Sequence, residues 1–303
     1  MSYEEFKSLL IDKIKERVNK DIKVRTDKFT KNNNKSREGI IVELGDTVFP
    51  IIYLDELFDK YNEGKNIEEL LDQVMVLCVN GKIDVKDKVD ILLRGQWEEI
   101  KDTIEVCVIN KAWNKEKLEH LPYLEYLDLA LVFRVVLDKS SQGNMSCLIT
   151  NDLLARWNIS KDELIEVALS RLDSSYYYIK SMLGVIKECL GSEEENVLDS
   201  LDEDIVGEVP LYVLSNSQRL NGATGIARVD IINKFACDLD SDLYILPSSI
   251  HELILLPATE ECSVKDLRDM VKSVNETEVD KEERLSDNVY YYSREAGCLE
   301  IAA

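Results

Sequence analysis

The chain has 303 residues and carries 59 Asp and Glu against 37 Lys and Arg, a formal charge of −22. Such a surface repels nucleic-acid phosphate, so direct nucleic-acid binding is not expected. With 45% apolar residues but only 12 Gly and 5 Pro, collagen-like and low-complexity classes are excluded. A densely structured chain of one large or two ordinary domains is left.

The N-terminal segment carries acids and lacks the basic start and apolar core of a secretory signal. Apolar runs such as 129–133 fall far short of the roughly 20 residues that cross a bilayer. No membrane partner and a cytoplasmic location are therefore expected. Seven scattered cysteines, Cys78, Cys107, Cys147, Cys189, Cys237, Cys262 and Cys298, read as reduced, buried small hydrophobes of a cytosolic protein.

In chain order, Ser2 and Glu5 form a capping box ahead of the stripe Tyr3, Phe6, Leu10, Ile14 and Val18, which predicts a helix over 3–19. Alternation at 22–25 and 39–44 around a polar turn predicts a hairpin, and 47–53 a third strand. Asp55 and Asn66 are candidate N-caps for helices at 56–63 and 67–79, with Gly64 and Gly81 at their ends. Residues 86–101 read as helix and 103–109 as strand. Strands at 127–137 and 146–150 follow. Ser160 and Glu163 then open a helix with the stripe Leu164, Ile165, Ala168, Leu169 and Leu172. A further helix is predicted over 175–190, then an exposed acidic loop at 192–208. From Pro210 the pattern is strand 211–215, strand 222–227, helix 229–238, strand 242–246, strand 252–256 and helix 264–275. Two strands finish the chain. The order strand, strand, helix recurs in 211–238 and 243–275. Short links between consecutive strands favour antiparallel pairing with helices packed on one face, an α+β class. The division expected is 1–100, an N-terminal α+β unit, and 101–303, a larger α+β body.

The runs SDLYILPSSIHELILLP, SVKDLRDMVKSVN and LSDNVYYYSREAGCLEI, with the earlier ITNDLLARWNISKDELIEVALSRL and VPLYVLSNSQRLNGATGIA, resemble a family of uncharacterised bacterial proteins of unknown function. The resemblance covers roughly 120–303 and, more loosely, the N-terminal helix and hairpin. A second bacterial family of unknown function has a similar layout. The resemblance implies a cytosolic bacterial protein of α+β fold and carries no activity with it.

Several constellations invite chemistry. Ser248, Ser249, Ile250, His251 and Glu252 place an imidazole beside hydroxyls and a carboxylate. Neighbours in extended chain point to opposite faces, however, so a polar turn between strands is the expected reading. Leu255 stands where a zincin's second His would fall, and His120 is the other histidine, so no His/Cys zinc set forms. Asp238, Asp240 and Asp242 match the start of an EF-hand loop, but Leu243 and Ser249 occupy the positions of its Gly and Glu. Asp90, Glu99 and Lys101 fit a metal-dependent nuclease spacing, on a segment that reads as helix rather than the required strand. Phosphate loops, serine elbows and dinucleotide fingerprints are missing from the sequence.

Two features concern surfaces. Residues 20–37 hold seven bases, Lys20, Lys23, Arg25, Lys28, Lys31, Lys35 and Arg37, against Asp21 and Asp27, and read as a solvated hairpin or a ribbon for an acidic partner. The triplets Tyr176–Tyr178 and Tyr290–Tyr292 are expected to be half buried, with at least one core ring each, and to offer interface anchors. No catalytic, cofactor-binding or metal residue is assigned. The function expected is a non-enzymatic protein-binding or regulatory module. The alternatives are a hydrolase or metal-dependent nuclease with dispersed carboxylates, and an acidic nucleic-acid mimic.

Overall fold

In the computed structural model, which describes residues 1–18, 21–44, 47–48, 51–80, 83–84, 86–140, 143–190, 210–259 and 263–302, the first helix begins where the Ser2–Glu5 spacing places it. The Ser2 backbone N–H donates to Glu5 Oε2 at 2.8 Å, and the Glu5 N–H donates to Ser2 Oγ at 3.4 Å. Helix α1 (Tyr3–Arg17) buries Phe6, Leu10 and Ile14, an i, i+4, i+8 stripe. The chain divides into two compact units, Met1–Ile100 and Lys101–Ala303.

In the first unit, β1 (Lys23–Thr30) and β2 (Ser36–Leu44) form an antiparallel ladder from Lys23 opposite Glu43 to Thr30 opposite Ser36. The strand predicted at 22–25 thus runs on to Thr30; its alternation breaks at Asp27 and Lys28, so Phe29 lies on the face opposite Val24 and Thr26. Asn33 and Asn34 take the left-handed conformation that closes the turn. Two short strands, β3 (Thr47–Val48) and β4 (Ile52–Tyr53), both pair with β2 in place of the single strand expected over 47–53. Helix α2 (Leu54–Asn62) and helix α3 (Ile67–Asn80) follow, then β5 (Ile83–Asp84), which pairs with β3. Asn66 caps α3 in a reciprocal pair with Glu69, at 3.0 and 3.1 Å. Gly64 sits at φ +108° after α2, where an L side chain would be strained; Gly81 lies outside the described residues. The helix expected over 86–101 is divided at Gly95 into α4 (Lys86–Arg94) and α5 (Trp97–Ile100).

Asp55 does not cap α2, which starts at Leu54 with Tyr53 in the N-cap position. Its carboxylate instead accepts from Arg37 Nε at 2.9 Å and Nη2 at 2.8 Å, while Nη2 also donates to Glu56 Oε1 at 2.6 Å. Arg37 is nearly buried, so leaving it unpaired would be costly. Partial burial pushes the Asp55 pKa up, but the Arg37 hydrogen bonds and charge more than reverse this and hold it below the ordinary carboxylate value. A depressed folded pKa gives stability that is present above the unfolded pKa and disappears as pH falls through the folded one. Asp55→Asn is therefore expected to cost about 1–3 kcal/mol at neutral pH. In urea unfolding of the full chain, the gap between wild type and variant should shrink as the pH falls below the ordinary Asp value of about 3.9; a gap that stays constant would contradict the assignment.

In the second unit, β6 (Ile104–Asn110) pairs with one side of the long β8 (Leu129–Ser140), and β7 (Tyr123–Tyr126) and β9 (Gly143–Leu148) share its other side. Helices α6 (Lys115–Leu118), α7 (Asn151–Trp157) and α8 (Lys161–Ser174) accompany this sheet. Ser160 caps α8 as predicted, accepting from the Glu163 N–H. A six-stranded antiparallel sheet has the order β10 (Tyr177–Ser181), β11 (Tyr212–Asn216), β13 (Leu253–Pro257), β12 (Leu243–Leu246), β14 (Tyr290–Ser293), β15 (Cys298–Ile301). Helices α9 (Met182–Leu190), α10 (Val229–Asp238) and α11 (Val264–Thr277) complete it.

Two predictions fail here for local reasons. The helix expected over 175–190 is β10 followed by α9, because Tyr177, Tyr178 and Ile179 suit a strand and pair with Asn216, Ser215 and Leu214. Gly222–Ala227, expected as a strand, is a buried 3₁₀ turn of small residues. The strand, strand, helix repeat therefore does not hold. The acidic segment at 192–208 lies outside the described residues. Asp128 joins the two sheets by accepting from Ser286 Oγ at 2.6 Å, Asn288 Nδ2 at 3.0 Å and Tyr290 Oη at 2.9 Å. Among the described residues, no helix is long and apolar enough to cross a membrane.

Candidate functional site

Strand β6 forms one edge of its sheet, and two outward carbonyls on it are covered. Arg171 Nε, from the last turn of α8, donates to the Ile104 carbonyl at 2.9 Å, and Thr224 Oγ1 reaches the Val106 carbonyl at 3.5 Å. Between these lies Glu105, directly opposite Arg134 in the ladder. Its Oε2 accepts from Arg134 Nε at 3.2 Å and Nη2 at 2.6 Å.

The turn after β11 supplies the facing wall. Asn216 organises it through its side chain, whose Nδ2 donates to the Leu220 carbonyl at 2.8 Å while Oδ1 accepts from the N–H groups of Gln218 and Leu220 at 3.1 and 3.3 Å. Arg219 and Asn221 take left-handed conformations, φ 51° and 53°. The Asn221 side-chain amide faces the Arg134 guanidinium, and because that partner has only donors its oxygen is assigned to that side, 2.8 Å from Nη1 and 3.2 Å from Nη2. Its backbone N–H donates to His251 Nδ1 at 3.2 Å. A cleft of about 210 Å³ results, lined among others by Glu105, Arg134, Arg171, Tyr177, Ser217 and Asn221.

The charged groups lining it are Glu105, Arg134 and Arg171; Glu105 pairs with Arg134, and the exposed Asp102 lies 3.6 Å from Arg171. Burial, reinforced by Cys107 and Glu105, pushes the Tyr177 hydroxyl far above its ordinary pKa, and the nearby Arg228 and Arg134 do not offset this. Burial also raises the Cys107 thiol to about 11. For Arg134, burial opposes the charge, but Cys107 and Glu105 outweigh it and raise the pKa further.

His251 holds this site together without being a nucleophile's partner. Its Nδ1 is an acceptor, so the proton sits on Nε2, which lies 3.5 Å from Glu283 Oε1 rather than near Glu252. Ser249 is buried, and its Oγ accepts from the His251 N–H at 3.0 Å. The 248–252 segment is thus a polar turn between strands, and the bond from its imidazole to Asn221, thirty residues away in sequence, had no local signal.

The remaining sequence candidates are engaged elsewhere. Asp242 accepts from Tyr291 Oη at 2.6 Å and from the Arg294 N–H at 3.0 Å, and Asp240 pairs with Arg294 Nη1 at 2.5 Å. Among the described residues, no group of three His, Cys, Asp or Glu is placed to hold a metal ion. Asp90 pairs with Arg94 at 3.6 Å, and Glu99 Oε2 accepts from the Gln96 N–H at 3.4 Å beside the helical turn of α5. In the basic segment, Arg25 bridges Glu43 and Asp27, while Lys31 and Arg37 lie over the Tyr53 ring at 4.6 and 3.9 Å; Lys20 lies outside the described residues. Tyr290 and Tyr292 are fully buried, whereas Tyr176 is 70% exposed and neither Tyr177 nor Tyr178 is core. The first triplet therefore lacks the buried ring expected of it. The cysteines also depart from expectation. Cys107 is buried, but Cys189, Cys237 and Cys298 are exposed.

Gly222 fixes the approach of the turn to its support. A Cβ there would lie 2.2 Å from Ser215 Oγ, 2.4 Å from the His251 carbonyl oxygen and 2.9 Å from the Asn216 nitrogen. Gly222→Ala is expected to lower stability by about 1–3 kcal/mol, read as a fall in the urea midpoint with an unchanged slope. Wild-type stability in this variant would show that the contact is not tight.

No curated protein and no solved structure matches the chain. One family does match it, over residues 3–294, and so takes in the N-terminal unit as well as the tail that carried the resemblance. The chain belongs to a family of unknown function, DUF5688.

Proposed function

We propose that the chain is a non-enzymatic binding module and that the cleft between β6, the end of α8 and the 216–221 turn receives a group of a protein partner. One observation carries this reading: every ionisable group whose pKa is displaced at the cleft is displaced away from neutrality. A general acid or base works best with a pKa near the operating pH. Here the Tyr177 hydroxyl is held neutral by burial first of all, and the Arg134 guanidinium stays charged. Glu105 spends its Oε2 on Arg134. Groups in fixed protonation states and fixed bonds suit recognition.

The test compares wild type with Arg171→Met, both as full chains, in affinity capture from host lysate at moderate salt, where charge-driven contaminants are screened. A partner retained by wild type and lost by the folded variant is the expected result. A partner held equally by both proteins would move the binding surface away from the cleft. Turnover of a substrate that is abolished by Arg171→Met would replace the binding reading with an enzymatic one.

A further inference from the structure

The hydrogen-bonding inventory of the cleft is one-sided. Arg171 spends Nε on the Ile104 carbonyl, and its Nη1 lies 3.6 Å from the largely exposed Asp102. Among the described residues, Arg171 Nη2, the Tyr177 hydroxyl and the Ser217 hydroxyl have no protein partner, and all three residues line the same cleft. The Asn216 side chain is spent inside the turn, and Arg134 is spent on Glu105 and Asn221. What the cleft offers a ligand is one guanidinium whose plane is set by its Nε bond, flanked by two hydroxyls that can donate.

We infer that the group recognised in this cleft is a carboxylate of a peptide partner, anchored by Arg171 and assisted by the hydroxyls of Tyr177 and Ser217. This rests on the binding-module reading above and names the chemistry that such a module would select. A guanidinium presents paired N–H groups that match the two oxygens of a carboxylate. Arg171, the one lining cation beyond the Arg134–Glu105 pair, already shares its charge with the exposed Asp102 at 3.6 Å, so the site suits one carboxylate charge better than the nearly two charges of a phosphate. A strongly acidic surface elsewhere repels anions, so a carboxylate that reaches this protein finds its favourable field here. Because burial keeps the Tyr177 hydroxyl protonated across the physiological range, it remains a donor.

The experiment is isothermal titration of the full chain with four probes: acetyl-trialanine as the free acid, the same peptide as its C-terminal amide, succinate, and inorganic phosphate. The free acid is expected to bind about ten-fold or more tightly than the amide, since the amide loses the charge-assisted bonds. Arg171→Met should weaken the free acid by about ten-fold or more. Tyr177→Phe, which keeps the ring against Gly225 and removes only the hydroxyl, should weaken it by roughly three- to ten-fold. Equal binding of acid and amide, tighter binding of phosphate, no effect of either substitution in a folded variant, or no heat with any probe would each overturn the carboxylate assignment. Succinate matching the peptide acid would keep the carboxylate and overturn the peptide as its source. Chromatography of the titrated mixture separates the two levels: a peptide cleaved during incubation overturns the binding-module reading, whereas an intact peptide that binds without preference for the acid overturns the carboxylate alone.

Discussion

The close approach at Gly222 is the constraint on which the cleft depends. Because no side chain separates it from Ser215 and the His251 carbonyl, the chain leaving β11 lies directly on the 248–252 turn, and the Asn221 N–H comes within reach of the His251 imidazole. The same residue turns its side chain to Arg134, which is held in its rotamer by Glu105 across the ladder. A side-chain contact thus ties the turn after β11 to the central strand β8 of the other sheet. Arg219 and Asn221 pay for left-handed backbone, roughly 1–3 kcal/mol for a strained residue. Glu188 and Cys189 hold the Arg219 guanidinium in return.

The excess of acid has a structural side as well. Asp128 gathers three donors from the C-terminal segment, Asp242 takes up Tyr291 and Arg294, and Asp55 neutralises the nearly buried Arg37. Each carboxylate accepts two or more hydrogen bonds, which is how an ionised group can be kept in a partly buried site. Asp55 and Asp242 are accordingly held below their ordinary pKa. For Asp242 the Tyr291 hydroxyl is the largest cause, followed by the Arg294 N–H.

Much of the architecture was legible in the sequence where local chemistry decides it. The Ser2–Glu5 and Asn66–Glu69 caps, the α1 stripe, the β1–β2 hairpin and the helices at Val229–Asp238 and Val264–Thr277 all follow from short-range patterns. The failures occur where a tertiary contact outvotes the local signal. Asp55 looks like a cap but meets Arg37, eighteen residues earlier. Residues 176–181 carry enough apolar side chains to continue a helix, yet their aromatic run completes a sheet edge. The stretch 222–227 reads as a strand until its close packing on Ser215 and His251 is known. The cleft itself was illegible, because Glu105, Arg134, Arg171 and Tyr177 are brought together from four separate elements, and none of them lies in a motif. His251 drew notice as a titratable group beside Ser249, whereas its role is that of a hydrogen-bond acceptor for a distant turn.

The most direct measurement is a crystal structure of the full chain with acetyl-trialanine free acid bound. The account predicts the peptide intact, with its carboxylate paired to the Arg171 guanidinium and within hydrogen-bond distance of the Tyr177 hydroxyl. A peptide cleaved in place, or a carboxylate bound away from Arg171, would contradict it.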